Sequence, residues 1–119
     1  MSFADLHLHT HFSDGTFSPE EVVARGQRVG FAALALTDHD TVEGCSRMAM
    51  ACAEANIEFI TGAELTAEHA GNEIHILGYF LDQHNQRLLT ELARFQSVRQ
   101  NRIREMVARL NELAIPLQA

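Results

Sequence analysis

The chain has 119 residues, 46% of them apolar and 21% charged, which fits one modest core and excludes a disordered protein. No apolar run approaches the roughly 20 residues that a membrane span requires. The N-terminus lacks a basic segment followed by an apolar one, the usual form of a signal peptide, so we expect a cytoplasmic protein.

The formal net charge of −7 is unevenly distributed along the chain. Residues 1–82 carry a net charge of −10, whereas residues 83–119 carry +3, and every cationic side chain is an arginine. An acidic part followed by a basic part fits a cation site beside an anion-binding element. Two solvated faces of opposite charge are the alternative.

The first predicted strand and helix have clear boundaries. Residues 3–9 alternate apolar and polar side chains, which is typical of a strand. Ser18 can cap a helix, with Pro19 at its first position and Glu21 where a capping box requires a carboxylate. Gly30 is expected to end this helix.

Strands and helices continue to alternate as far as residue 61. Residues 31–37 form an apolar run that suits a buried parallel strand. A helix is predicted over about residues 43–55 and a third strand over residues 57–61. Cys45 and Cys52 are expected to be buried on one face of that helix as free thiols.

The second half of the chain begins with a predicted pair of strands, residues 64–70 and 73–80, joined by the turn-forming dipeptide Gly71-Asn72. Two helices are then predicted, and Pro116 ends the second. Their apolar stripes are Leu88, Leu89, Leu92 and Phe95 in one, and Ile103, Met106, Val107, Leu110 and Leu113 in the other.

The resulting order of elements, β-α-β-α-β-β-β-α-α, predicts an α/β fold with a parallel sheet or barrel. A closed α/β barrel usually takes 200 or more residues. We therefore expect these 119 residues to be the N-terminal portion of a longer protein.

Two histidines lie on one side of the first strand. His7 and His9 are two residues apart, and alternate residues of a strand point to the same face. Two imidazoles at this spacing can share a metal ion. A single pair of this kind is also common without any such role, so it requires further evidence.

That evidence comes from side chains that follow the predicted parallel strands. Asp14 lies in the loop after the first strand, Asp38, His39 and Asp40 follow the second, and Glu64 follows the third. Active sites of α/β proteins gather at the carboxyl ends of parallel strands. Charged groups beside apolar strands are costly unless they are paired or bind metal.

His75, between two isoleucines of a predicted strand, is the sixth candidate ligand. Nitrogen and oxygen ligands suit Mn, Zn or Fe, and six exceed the needs of one tetrahedral ion. We therefore expect a site for several ions, of the kind that polarises phosphoryl oxygens and activates water. His11 and His69 are expected to be a loop residue and an exposed residue.

Four motifs together resemble successive motifs of the PHP (polymerase and histidinol phosphatase) family. They are DLHLHTHFSDG at 5–15, TDHD at 37–40, GAE at 62–64 and HILGY at 75–79. The sequence is most similar to the stand-alone phosphoesterases of the family, which act on nucleotides, nucleoside 3′,5′-bisphosphates or short RNA 5′ ends. The resemblance implies a distorted (β/α)7 barrel that holds a trinuclear site.

The same resemblance implies two or three divalent ions, with Mn favoured, and a metal-activated hydroxide that attacks phosphorus. His7, His9 and Glu64 would hold one ion, and Glu64 would bridge to a second. His75 would bind that second ion, and the third would be held by Asp14 and His39. One of Asp38 and Asp40 is expected to accept a hydrogen bond from a metal-bound imidazole; a direct ligand or a loop cap are the alternatives.

Two arginines of the last predicted helix are candidates for substrate binding. On a helical wheel Arg99 aligns with the apolar stripe and Arg102 flanks it. Because guanidinium groups match phosphate bidentately, we expect both to bind a substrate phosphate over the metal site. Packing and intrahelical pairing are the alternative. The resemblance implies that residues 83–119 begin a helical cap beside the barrel portion, residues 1–82.

The sequence departs from the family pattern after His75. The family supplies a further histidine and a later Asp-x-His, but the sequence here contains only His84 after that point, which supports the expectation of a truncated chain. Histidinol phosphatase is an alternative activity, and a non-catalytic metal-binding module of a DNA polymerase is an alternative role. No obligate protein partner is evident from the sequence.

Overall fold

The computed structural model describes residues 2–118, which fold into four strands and three helices. Their order along the chain is β1 (Ala4–Leu8), α1 (Pro19–Val29), β2 (Ala33–Leu36), α2 (Cys45–Glu54), β3 (Glu58–His69), β4 (Asn72–Tyr79) and α3 (Gln86–Glu112). The strands form one sheet in the order β1-β2-β3-β4. β1, β2 and β3 are parallel, and β4 is antiparallel to β3.

The predicted start and end of α1 are confirmed. The Ser18 hydroxyl accepts a hydrogen bond from the Glu21 amide at 3.2 Å, and the Glu21 carboxylate accepts one from the Ser18 amide at 2.8 Å. Gly30 ends the helix with φ of 92°, a left-handed conformation that favours glycine. The other early elements differ from the predicted bounds by one or two residues, as helix and strand ends commonly do.

β3 differs from the prediction, because it is one strand of 12 residues where the sequence suggested two. Gly62 lies inside it, paired with Tyr79 of β4. An alanine Cβ at this position would lie 2.8 Å from the carbonyl oxygen of Gly78 and 2.9 Å from that of Leu36. Gly62 therefore allows two neighbouring backbones to approach closely and does not interrupt the strand.

The turn between β3 and β4 lies one residue earlier than predicted. Ala70 and Gly71 form it, with φ of 52° and 78°, and His69 pairs with Asn72 across its base. Two consecutive residues with positive φ are what a two-residue hairpin turn of type I′ requires. Asn72, predicted as part of the turn, is the first residue of β4.

α3 is a single helix of 27 residues where the sequence suggested two. The segment between the two apolar stripes, residues 96–102, contains no glycine or proline, so nothing in it interrupts the helix. Asn85 caps its start by accepting from the Leu88 amide at 3.0 Å. Leu92 is the buried residue of α3, while Ile103 and Met106 are half exposed.

The core lies between the sheet and the helices α1 and α2. Leu34, Leu36 and Met48 are almost fully buried, as are Cys45 and Cys52, which are free thiols as expected. Burial raises the pKa of each thiol to about 11, so both stay protonated near neutral pH.

The sheet is curled, which brings its two edge strands together at one point. The Tyr79 hydroxyl of β4 donates a hydrogen bond of 2.6 Å to the Leu6 carbonyl oxygen of β1. The structure is thus an α/β fold whose sheet forms a half-barrel. In the part of the chain described, no helix combines the length and apolar character needed to cross a membrane.

The close approach at Gly62 predicts that Gly62→Ala destabilises the protein by about 1–3 kcal/mol, since the added methyl group meets backbone atoms that cannot move independently. Urea unfolding measures the change. Gly78→Ala is the matched control on the neighbouring strand, because its Cβ would lie no closer than 3.5 Å to a flexible Leu81 side chain. Equal stability of the two variants would contradict this account.

Candidate metal centre

The Glu64 carboxylate is buried, with 3% of its side chain exposed, and it lies among four imidazoles. Its Oε1 is 2.6 Å from Nε2 of His7 and 3.9 Å from Nε2 of His9. Its Oε2 is 3.0 Å from Nδ1 of His39 and 3.1 Å from Nδ1 of His75. One carboxylate thus connects ligand-type side chains from β1, β4 and the loop after β2.

Backbone pairing sets the position of His39 relative to Glu64. After β2 ends, the chain continues beside β3, so that His39 forms an isolated parallel bridge with Glu64. The Asp40 amide donates to the Glu64 carbonyl at 3.0 Å, and the Glu64 amide donates to the Asp38 carbonyl at 3.0 Å. The metal-ligand candidates of two strands are therefore held in a fixed register by main-chain hydrogen bonds.

The loop after β1 brings Asp14 to the same place. Its Oδ2 lies 3.3 Å from Nε2 of His39, and its Oδ1 lies 3.6 Å from Nδ1 of His9. The buried Asp38 carboxylate holds this loop, since it accepts from the Thr10 amide at 2.6 Å, the Thr10 hydroxyl at 2.7 Å and the Ser13 hydroxyl at 2.9 Å. Ser13 immediately precedes Asp14, so Asp38 positions the Asp14 loop.

The six predicted ligands form three overlapping groups of three residues each. Within a group, one ligand atom of each residue lies within 4.8 Å of those of the other two. The groups are His7, His9 and Glu64; His9, Asp14 and His39; and His39, Glu64 and His75. Buried Nδ1 atoms of His9 and His39 lack a hydrogen-bond partner among the described residues. Buried ring nitrogens that face carboxylates without hydrogen bonds fit a metal centre of nitrogen and oxygen ligands.

The imidazoles also set the protonation of Glu64. Burial opposes ionisation of this carboxyl group, but the hydrogen bonds from His75 and His7 and the charges of His39 and His9 outweigh that effect. The pKa of Glu64 is consequently below its usual value. Near neutral pH Glu64 is a carboxylate, the form that binds a cation.

A cavity of about 480 Å³ opens beside these groups, and α3 forms one wall of it. Its lining includes Asp14, His39 and His75 from the metal centre and both predicted arginines, Arg99 and Arg102. The remaining lining residues are Asp40, Thr66, Glu73, Phe95, Val98, Ile103 and Met106. The structure therefore brings both arginines to the same cavity as the candidate metal ligands.

Both arginines pair with carboxylates at the rim of the metal centre. Arg99 donates to Oδ2 of Asp40 through Nε at 3.1 Å, and its Nη2 lies 2.9 Å from the same oxygen. Nη2 also contacts the Thr66 hydroxyl at 3.4 Å. Arg102 lies 3.5 Å from Glu73. The Asp40 carbonyl accepts from Gln96 at 2.7 Å, so Asp40 joins α3 to the end of β2.

Apart from Glu64 itself, the carboxylate that is hydrogen-bonded to a candidate ligand imidazole differs from the prediction. Asp38 acts as a loop cap and Asp40 binds Arg99, and neither is hydrogen-bonded to an imidazole within the described part of the chain. Glu73 occupies that position instead, 2.9 Å from Nε2 of His75. Sequence reasoning missed Glu73, although its spacing of two residues from His75 on one strand is a usable signal.

His11 and His69 lie outside the three groups of ligands, as does His84. The His11 ring packs against Phe12 with ring centroids 4.8 Å apart, and His69 is an exposed residue at the end of β3. Both positions agree with the sequence-based expectation of a loop residue and an exposed residue.

A known protein family matches almost the whole chain. The model of the PHP domain matches residues 5–117. The chain belongs to the PHP domain family. The matched range includes all of α3, all of the strands except Ala4 of β1, and all six candidate metal ligands.

Individual curated proteins are similar over almost the whole chain. A 5′-3′ exoribonuclease from Haemophilus influenzae is 38% identical over 112 residues, which are 94% of this chain and 41% of that protein. A 3′,5′-nucleoside bisphosphate phosphatase from Chromobacterium violaceum is 36% identical over 115 residues, covering 97% of this chain and 40% of that protein. The chain thus spans about two fifths of the length of these curated relatives.

A solved structure also shares this fold. A protein from Bifidobacterium adolescentis described as a metal-dependent phosphoesterase superposes with a TM-score of 0.89 at 31% identity. The alignment covers 98% of this chain and 41% of that one. The α/β half-barrel with three helices therefore matches about two fifths of that solved structure.

The role of Asp38 in the PHP loop predicts that Asp38→Ala destabilises the protein by about 2–4 kcal/mol. Its three hydrogen bonds are buried, and removing the carboxylate leaves the Thr10 amide without its partner. Urea unfolding of metal-free protein measures the loss.

Asp82→Ala is the control for Asp38→Ala, because Asp82 accepts one exposed hydrogen bond, from the His84 amide. It is expected to cost less than about 1 kcal/mol. A cost for Asp38→Ala no larger than that of Asp82→Ala would contradict the proposed role of Asp38 in the loop.

Proposed function

We propose that this PHP protein is a metal-dependent phosphoesterase that hydrolyses phosphate esters of nucleotides or the 5′ ends of short RNA. The observation that carries the proposal is the buried Glu64 carboxylate, surrounded by imidazoles, next to a cavity with two arginines on its far wall. The relatives named exoribonuclease and nucleoside bisphosphate phosphatase support this substrate class.

The metal ions would be held by the three overlapping groups of ligands. Their donor set supports two or three divalent ions, of which Mn is favoured and Zn or Fe are alternatives. Such ions polarise phosphoryl oxygens and lower the pKa of water, so that it is a nucleophile near neutral pH. Glu64 belongs to two groups and is the candidate bridging ligand, while Asp14 adds the second carboxylate.

The two arginines would bind and orient the substrate phosphate. Arg99 and Arg102 lie on the α3 side of the cavity, opposite the carboxylates and imidazoles of the sheet. A phosphate in the cavity would thus have cationic groups on both sides once metal is bound. Arg99 is fixed by Asp40, so its guanidinium group is held in place before substrate arrives, which lowers the entropic cost of binding.

The wider architecture is part of the same proposal. Residues 1–82 would form the N-terminal part of a distorted (β/α)7 barrel, and residues 83–119 would begin a helical cap over its mouth. The parallel order of β1, β2 and β3 and the position of α3 beside the cavity support this assignment. Further metal ligands would come from other parts of a complete barrel.

A hydrolysis assay tests the proposed activity with three substrates: a nucleoside 3′,5′-bisphosphate, a short 5′-phosphorylated RNA and histidinol phosphate. Mn²⁺-loaded protein that includes the complete barrel is expected to release phosphate or nucleotide from one of the first two, and a chelator is expected to abolish the reaction. Preference for histidinol phosphate, or turnover that survives complete removal of metal, would contradict the proposal.

Metal content is the second prediction from this site. After loading with Mn²⁺ and desalting, elemental analysis is expected to find more than one equivalent of metal per chain. Glu64→Gln should lower the content by at least one ion, because Glu64 contributes to two of the three ligand groups. Glu58→Gln, on an exposed residue of the same strand, should leave it unchanged.

Arg99→Ala is expected to weaken binding of a nucleoside 3′,5′-bisphosphate about 10-fold or more with metal content unchanged, as loss of a charged hydrogen bond predicts. Calorimetric titration of Mn²⁺-loaded protein measures the affinity. Arg104→Ala is the control on the same helix, since Arg104 contacts Asn101 and does not line the cavity. Equal affinities of the two variants would remove Arg99 from the substrate site.

A further inference from the structure

Glu73 contacts one candidate metal ligand and one candidate substrate-binding residue. Its Oε1 lies 2.9 Å from Nε2 of His75, and its Oε2 lies 3.5 Å from Nη1 of Arg102. Glu73 and His75 are two residues apart on β4, so both side chains lie on the face of the sheet that carries Glu64. In the described part of the chain, no other carboxylate contacts both a candidate metal ligand and an arginine of α3.

We propose that Glu73 is a positioning residue, which holds the His75 ring with Nδ1 directed at Glu64 and the metal centre. This inference rests on the proposed function, because it assigns a role to Glu73 in the same metal site. In the metal-free chain Nδ1–H of His75 donates to the Glu64 carboxylate. A carboxylate that accepts from Nε2–H keeps the proton on that nitrogen, so Nδ1 is the ring nitrogen at which a metal ion would replace the proton. His75 Nδ1 lies 3.1 Å from Oε2 of Glu64, which is the direction the proposal requires.

The strand register argues against a role of Glu73 in strand pairing. Glu73 lies directly opposite Glu68 in the ladder between β3 and β4. Like charges directly opposite one another destabilise an antiparallel pair. The carboxylate at position 73 is therefore unfavourable for the hairpin itself, and its favourable contacts are those with His75 and Arg102.

The contact with His75 is the more important of the two. The pair of Glu73 and Arg102 is long, and about two thirds of the Arg102 side chain is exposed, so this ion pair contributes little by itself. His75 is restrained at both ring nitrogens, by Glu64 on one side and Glu73 on the other. Loss of Glu73 removes one of those restraints and leaves the ring held at Nδ1 alone, so its orientation and tautomer are less well defined.

Titration of the full chain with Mn²⁺ alone tests the proposal without any assay of activity. Glu73→Ala is expected to bind Mn²⁺ about 10-fold to 100-fold more weakly, the usual loss when the partner of a metal-bound histidine is removed. Glu73→Gln should retain most of the affinity, since its amide oxygen still accepts from Nε2–H. Glu68→Gln is the matched control across the ladder and should bind as the parent does.

Unfolding in urea without metal separates positioning from stability. Because Glu73→Gln removes a repulsion with Glu68, its urea midpoint is expected to equal or exceed that of the parent. Unchanged Mn²⁺ affinity in Glu73→Ala, a loss that Glu73→Gln does not restore, or an equal loss in Glu68→Gln would each overturn the role of Glu73. A parent protein that binds no Mn²⁺ would instead overturn the proposed metal centre and, with it, this inference.

Discussion

The buried charge of Glu64 is the constraint on which the rest of the site depends. An ionised carboxylate loses several kcal/mol of hydration on burial unless its surroundings replace water. Four imidazoles from three separate segments supply that replacement, and they lower the pKa of the carboxyl group despite burial. Cations held by the same groups would stabilise Glu64 further, so the position that is costly for folding is the position that suits metal binding.

Two residues that are not candidate ligands, Gly62 and Asp38, keep Glu64 and its neighbours in place. At Gly62, two residues before Glu64, a Cβ would lie within 3 Å of the carbonyl oxygens of Gly78 and Leu36, so only glycine fits there without a shift of backbone. Asp38 organises the loop that presents Asp14 and belongs to the segment that pairs with Glu64. Both residues contribute geometry to the site without being ligands, and both connect it directly to the core of the sheet.

The last helix completes the cavity through ion pairs. Because α3 continues unbroken across residues 96–102, Arg99 and Arg102 project from one rigid element and reach Asp40 and Glu73. These pairs join the arginine-rich second part of the chain to its acidic first part, so the uneven charge of the sequence corresponds to two walls of one cavity. Under the proposed function, that arrangement places phosphate between guanidinium groups and metal ions.

The sequence by itself determined the α/β class, the capping box of α1, the type of most elements and the six candidate ligands. These features depend on local periodicity and on the rule that parallel strands end at one edge, both of which are visible in a single chain. Tertiary structure alone decided that Gly62 continues β3, that Asp38 holds the loop after β1, and that Asp40 and Glu73 pair with the arginines of α3. Each of those outcomes depends on which backbone or side chain lies opposite in space, and sequence spacing does not specify that partner.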